Sequence, residues 1–298
     1  MALVTNGGNT YIVSNAATGV GLHNREDLQD FITNISPTET PFLSGIGQVE
    51  AKAIQHEWLH HTLAAAAADN VVVEGNEASY ITPTTMTRLV NWCQINQKAV
   101  AISGTQEKVN KAGMGSELAY RVLLHTKEIK RAMETAALQN TAGDSVVGGT
   151  NTARRIKGFA EFVTTNTATY TTGITLTQVH INLELQNCWT AGGNPDTICV
   201  NGALKRKISA MTTGVQKNLD ANDRRLVTAV DIYESDFGVL QVVPNRFENT
   251  QKVNIIESDL WKTAMLRGLH IKKMGESGDS TKRQLTIEWT LESRAEEG

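Results

Sequence analysis

Residues 48–63 read Gln-Val-Glu-Ala-Lys-Ala-Ile-Gln-His-Glu-Trp-Leu-His-His-Thr-Leu, and whether this stretch is helix or strand decides what kind of protein the chain is. Within it, His56-Glu57-Trp58-Leu59-His60 matches the pattern HExxH. On a helix, histidines four apart share one face and can ligate zinc, with the glutamate as general base on a bound water. In a strand the same two histidines stand about 13 Å apart and cannot share an ion. The stretch lacks a helical apolar stripe, and Ile54 and Trp58 on their mixed background suit a strand as well. No HxxGxxH continuation follows, and the nearest later acids, Glu74 and Glu77, come in a loop after a run of alanines. A zinc metallopeptidase using His56, Glu57 and His60 is therefore the alternative reading, and a projecting hairpin the preferred one.

Outward from this stretch, Val49 to Ile102 holds two strand-like runs around a loop at Ala64 to Pro83. The second run, Met86 to Ile102, interleaves Leu89, Val90, Trp92, Ile95, Val100 and Ile102 with polar residues. Nothing nearby in sequence would bury both its faces. Towards the N-terminus, the first 24 residues contain no Lys, Arg, Asp or Glu, which predicts an extended arm. A helix is expected from Asn24, with Glu26 and Asp27 in its first turn and Leu28, Phe31, Ile32 and Ile35 at helical spacing, ended by Pro37.

Towards the C-terminus, Ser116 can cap the strongest helical pattern, with Leu118, Val122, His125, Ile129, Met133 and Ala137 spaced by three or four as far as about Asn140. Such a helix is about 37 Å long. Thr141 to Gly173 reads as loops and short strands around a basic knot, Arg154, Arg155 and Lys157, expected to form ion pairs between subunits. Then come a helix at Thr177 to Trp189 closed by Gly192 and Gly193, a strand at Thr197 to Val200, and a helix at Gly202 to Met211. Strands follow at Leu226 to Tyr233, Gly238 to Val243 and Val253 to Ile256, the first two joined through Glu234 to Phe237. A long strand at Arg283 to Leu291 alternates Leu285, Ile287, Trp289 and Leu291 with polar residues. The order is that of an α+β protein.

Composition narrows the function. The 298 residues carry 28 basic and 31 acidic groups, a net charge of -3 that gives no global field to concentrate nucleic acid or anionic lipid. Three widely spaced cysteines, Cys93, Cys188 and Cys199, form neither a disulfide framework nor a zinc site. The longest apolar run, Leu63 to Ala68, is far short of the roughly 20 residues of a membrane span, so no membrane partner is expected. The chain has no GxxxxGK[ST] loop, no GxGxxG and no GxSxG. His23, His125, His180 and His270 lack a partner at ligand spacing, and Cys93 beside Trp92 reads as a small buried hydrophobe. No catalytic, cofactor-binding or metal residue is assigned.

One family shares this order of features. Asp27-Leu28, Ile35-Ser36-Pro37, Thr40-Pro41-Phe42-Leu43, His56-Glu57-Trp58 and Glu74-Gly75 stand in sequence, followed by Asn91, Gln94-Ile95 and Ser103-Gly104-Thr105. Glu117-Leu118-Ala119-Tyr120 and Tyr233-Glu234-Ser235-Asp236-Phe237-Gly238 complete the set. In these residues the chain resembles the major capsid proteins of tailed bacteriophages, which have the fold typified by phage Hong Kong 97, over nearly its full length. The resemblance implies an N-terminal arm and short helix at 1–46, an extended E-loop hairpin at 47–104, and a peripheral (P) domain at 105–165 around a spine helix at about 116–140. It further implies a mainly axial (A) domain at 166–250 and closing P-domain strands at 251–298.

By the same resemblance the chain would be a structural protein without catalysis or cofactor, tiling an icosahedral head as hexamers and pentamers around packaged double-stranded DNA. Scaffold, portal and decoration proteins would be its partners, the scaffold being a separate chain. The protein would assemble in the host cytoplasm and reside in the virion. Phe42, Trp58, Leu89, Val90, Trp92, Arg154 and Arg155 are the candidates for subunit interfaces. A cellular encapsulin-type shell shares the fold and is the remaining alternative.

Overall fold

The computed structural model describes residues 32, 34–78, 80, 82–83, 85–141, 148–149, 151–170, 175–211, 230–276 and 278–297. The expected arm, most of the helix expected from Asn24, and residues 226–229 of an expected strand lie outside them; Ile32 and residues 34–40 are not helical. The helices are α1 (Pro41–Gly45), α2 (Gly104–Lys108), α3 (Glu117–Gln139), α4 (Phe159–Phe162), α5 (Gln178–Ala191) and α6 (Gly202–Ala210). The strands up to the middle of the chain are β1 (Gly47–Glu50), β2 (Gln55–His60), β3 (Thr87–Trp92), β4 (Gln94–Ser103) and β5 (Thr197–Val200). Those in the remainder are β6 (Ile232–Ser235), β7 (Gly238–Pro244), β8 (Val253–Ile256), β9 (Trp261–Lys273) and β10 (Ser280–Ser293).

The long helix forms where its cap and stripe place it. The Ser116 hydroxyl accepts from the Ala119 N–H, and α3 then runs for 23 residues. Of the expected stripe, Ile129, Met133 and Ala137 are buried while Leu118, Val122 and His125 are half-buried, so the C-terminal half of the helix carries the packing. It rests against a four-stranded sheet in the order β1-β9-β10-β4, in which β1 runs parallel to β9 and the other pairs are antiparallel. Leu285, Ile287, Trp289 and Leu291 point into this core, where they meet Ile129, Met133, Phe159 and Trp261. Gly158 brings the following loop onto the end of α3, where a Cβ would sit 2.7 Å from the Asn140 carbonyl oxygen.

A second sheet, in the order β6-β7-β5-β8, makes its own core with α5 and α6 through Ile181, Leu185, Ile198, Val200, Leu204, Ile208, Leu240 and Val242. Helix α5 ends as expected on Gly192, at φ +101°, whose neighbour Gly193 donates its N–H back to the Cys188 carbonyl. Two departures from the sequence reading matter. The run from Met86 to Ile102 is not one strand of a hairpin: it divides at the buried Cys93 into β3, which pairs with β2, and β4, which pairs with β10 from Gln94 to Ser103. Within the span 47–104 expected as the E-loop, β1 and β4 are strands of the main sheet. Strand β9 has no counterpart among the expected strands, since its buried first turn and exposed, lysine-bearing end show no alternation.

The junction of helix, sheet and second layer is polar. Glu134 on α3, completely buried, accepts the N–H groups of Phe42 at 2.8 Å and Leu43 at 3.0 Å, and its side chain also receives the Asn245 amide. One carboxylate thus caps α1 and ties it to both the spine and the loop after β7. Nearby Glu248, 3% exposed, accepts from the Asn249 N–H at 2.9 Å and the Asn254 amide at 2.9 Å. Burial raises both carboxyls above the usual range, Glu248 to about 7.

Glu134→Ala leaves two buried donors and one half-buried donor without their acceptor, at about 1–3 kcal/mol for each buried one. Thermal unfolding is expected to show a drop of at least several degrees, with Glu134→Gln, which keeps one acceptor oxygen, in between. The Glu248 carboxyl has a folded-state value of about 7 against an ordinary 4.5, so folding favours its protonated form. Its stabilising contribution is fully present below about pH 4.5 and is lost as pH rises through 7. Between pH 5 and 8 the melting temperature should fall more steeply in the wild type than in Glu248→Gln; equal slopes would show that this group does not titrate on folding.

Candidate assembly surface

Strand β10 is followed outward by a second, smaller ribbon, the two-stranded sheet of β2 and β3. Its register pairs Gln55 with Trp92, His56 with Asn91, Trp58 with Leu89 and His60 with Thr87. The HExxH stretch is therefore a strand: His56, Trp58 and His60 share one face, and Glu57 takes the other with Leu59. On that outer face Glu57 pairs with Arg88 at 3.2 Å and accepts from the Gln55 amide at 2.7 Å. Glu57 thus points away from both histidines, and the arrangement cannot place a general base beside a zinc-bound water.

The inner face is bound to the C-terminal end of β10 and the residue beyond it. His56 Nε2 lies 3.0 Å from Glu292 Oε2, Trp58 Nε1–H donates to the Ser293 carbonyl at 2.6 Å, and His60 Nδ1 donates to the Arg294 carbonyl at 2.9 Å. The hydrogen bond from His56, together with Arg294 at 3.0 Å, holds the Glu292 carboxyl below the usual range despite its burial. Trp58 also begins a chain of rings: it packs on Phe162 at 6.0 Å, Phe162 on Trp261 at 6.0 Å, Trp261 on Phe159 at 4.7 Å, and Phe159 on Phe42 at 6.1 Å. At the base, Asn91 is completely buried; its amide donates to the Leu291 and Lys157 carbonyls, and its oxygen accepts from the Lys157 N–H.

Beyond His60 and Thr87 the character changes. Residues 61–86 contain no helix or strand among those described, and Leu63, Val71, Val72, Val73, Tyr80 and Met86 are 62–95% exposed. On the ribbon's outer face Leu59 is 63% exposed, and Val90 and Trp92 on the same face are half-buried. A projecting ribbon that carries this much unburied apolar surface is built to be covered.

The candidate interface residues separate accordingly. Phe42 faces inward, 5% exposed, because α1 lays it against Phe159 in the main core. Arg154 is engaged within the subunit: its guanidinium bonds Glu288 at 2.6 Å, and Arg267 holds the other carboxylate oxygen at 2.7 Å, an ion triad inside the chain. Trp58 and Leu89 lie on the inner face of the ribbon, while Val90 and Trp92 lie on the outer face and Arg155 is exposed. Sequence reasoning misses the tip residues; the run Val71-Val72-Val73 between Asp69-Asn70 and Glu74-Gly75 is their signal, an apolar cluster inside a turn-rich loop.

A helix-spined body bearing an anchored ribbon with an unburied apolar tip is a subunit completed by its neighbours, the class of self-assembling shell proteins. The chain belongs to the SU10 major capsid protein family, whose sequence pattern matches residues 4–298, and its role is structural, as the shell subunit of a tailed phage. It is 25% identical over 317 residues to the major capsid protein of Escherichia phage Phieco32, covering 89% of this chain and 90% of that protein. Among solved structures, a chain from Microbacterium phage Oxtober96 superposes with a TM-score of 0.65 at 12% identity, over 91% of this chain and 90% of that one. A chain from the capsid of the native GTA particle gives 0.63 at 12% identity, over 93% and 94%. The fold is the Hong Kong 97-like capsid fold, as the resemblance implied. The family match is to viral capsid proteins rather than to cellular shells or peptidases.

Because His56 and His60 are strand residues with partners of their own, zinc has no site to fill there. Equimolar zinc should leave the melting temperature of the purified subunit unchanged, and metal analysis should find no stoichiometric zinc. One zinc per chain that disappears in His60→Ala would overturn the strand reading.

Proposed function

We propose that this subunit tiles an icosahedral head as hexamers and pentamers, with the ribbon of β2 and β3 as its E-loop and residues 61–86 as the part that docks on a neighbouring copy. The observation carrying this is the pairing of a firmly bonded ribbon base with an exposed apolar tip. Rigid presentation lowers the ordering cost of association, and Tyr80, Val72 and Leu63 at the tip, with Leu59 on the outer face, supply the exposed apolar area to be covered. Under this reading the sheet of β1, β9, β10 and β4 with α3 is the P domain, and the sheet of β5 to β8 with α5 and α6 is the A domain. The two cores are separate clusters, which supports that division.

Contacts of this kind are heterologous, one surface meeting a different surface on the next copy, and close into rings of five or six. The subunit acts without catalysis. Scaffold, portal and decoration proteins are its further partners, the packaged DNA is met without sequence-specific contact, and assembly takes place in the host cytoplasm before the protein resides in the virion.

His60 and Thr87 face each other across the ribbon, so residues 61–86 can be replaced by Asn-Gly, which closes two antiparallel strands in a tight turn. The truncated subunit should fold, with native circular dichroism and a melting temperature within a few degrees of wild type, and sediment as a small species. Electron microscopy should show no closed shells. Shells of normal size would remove the tip from the assembly contacts.

A further inference from the structure

The HExxH stretch, which carries no metal chemistry, has an inner face whose three side chains all reach the same segment. Along β2, His56, Trp58 and His60 climb away from the body, and each meets the next residue of the C-terminal segment in turn: Glu292, Ser293, Arg294. Alternate residues of β2 thus bond consecutive residues at and just beyond the end of β10, which acts as a rail for the ribbon. Asn91, buried and bonded to Leu291 and Lys157, marks the inner end of that rail.

We propose that His56, Trp58 and His60 are positioning residues that latch the ribbon to the C-terminal segment and set its angle for docking, with Asn91 as the pivot about which it swings when the latch opens. This rests on the assembly reading above, in which the ribbon docks on a neighbour. The two halves of the attachment differ in kind. Asn91, completely buried, satisfies four groups with one side chain, so opening there costs four hydrogen bonds together. The latch contacts are graded: His56 and Trp58 are half-buried, and the His60 bond is exposed to water. An exposed bond such as that of His60 contributes less and exchanges readily with solvent, so the ribbon opens from its tip, at His60, towards Asn91. The latch needs donors at all three positions rather than histidine or tryptophan in particular. Trp58 has a second part to play, since its ring also packs on Phe162.

The test measures ribbon angle in the isolated subunit. Cys93, Cys188 and Cys199 are buried, so spin labels go to Leu59→Cys on the outer face of β2 and Lys130→Cys on the exposed side of α3. Pulsed electron resonance on this parent should give one narrow distance distribution. Adding His56→Ala, Trp58→Phe and His60→Ala should produce a second, displaced population and raise amide exchange in β2 and β3 by about tenfold or more, while the amides of β10 and β5 keep their protection. His56→Gln with His60→Gln and Trp58 intact, which retains a side-chain N–H donor at all three positions, should keep the narrow distribution. If the triple variant proves unstable, Trp58→Phe alone, which keeps the ring on Phe162 and removes only the donor, should still broaden the distribution.

An unchanged distribution in these variants overturns the latch. So does equal loss of protection in β2, β10 and β5, which would make the three residues ordinary stability contacts. Shell formation is scored separately: a loosened ribbon should assemble in lower yield, and wild-type yield from a ribbon shown to be loose overturns its positioning role. Normal shells from the Asn-Gly truncation would instead defeat the docking reading and leave the latch measurement standing.

Discussion

From Leu285 to Ser293, strand β10 is buried on both faces, and the rest of the subunit is arranged around that burial. On one face Leu285, Ile287, Trp289 and Leu291 meet the spine helix; on the other Thr286, Glu288, Thr290 and Glu292 are equally hidden but polar. The charged groups of such a face are costly to bury unless they are paired. Arg154 and Arg267 answer Glu288, and His56 and Arg294 answer Glu292. The loop that carries Arg154 and the ribbon that carries His56 are thus held in place by the need to neutralise one strand. The Trp289 indole, donating to Asn96 at 3.0 Å, extends the same logic to β4.

This explains why the ribbon is bonded at its base. Buried ion pairs are seldom net stabilising, yet breaking one by removing a partner is costly, so they specify geometry more than they add stability. The hidden side of β10 therefore positions the base of the ribbon, and the chain of rings from Trp58 to Phe42 connects that base to the cap at Glu134. Past His60 exposed apolar side chains take over. Within a single chain the protein passes from an internally bonded base to an exposed apolar surface.

Local signals are legible wherever a few neighbouring residues determine the outcome. Ser116 and the stripe through Ile129 and Met133 mark the spine helix to within a residue at each end, and Thr177 with Gly192 brackets α5. The strand at Thr197–Val200 and the alternation ending at Leu291 are also readable. So is the choice between helix and strand for the HExxH stretch, because the helical stripe that zinc ligation requires is missing from its sequence.

Pairing partners are not legible, because they lie far along the chain. Whether Gln94–Ser103 joins β3 in a hairpin or β10 in a sheet depends on residues nearly two hundred positions away. Whether Arg154 reaches a neighbour or Glu288 depends on the same sheet. Glu134 looks in sequence like any solvent-facing helical acid; only the arrival of α1 and Asn245 makes it a buried cap. The sequence alone determined the elements, the α+β class and the absence of a helical metal motif, since propensity, capping and periodicity act within a turn or two of chain. Tertiary structure alone decided which polar residues became internal anchors and which apolar ones stayed outside for a partner, since burial and desolvation depend on what the whole fold brings to a point.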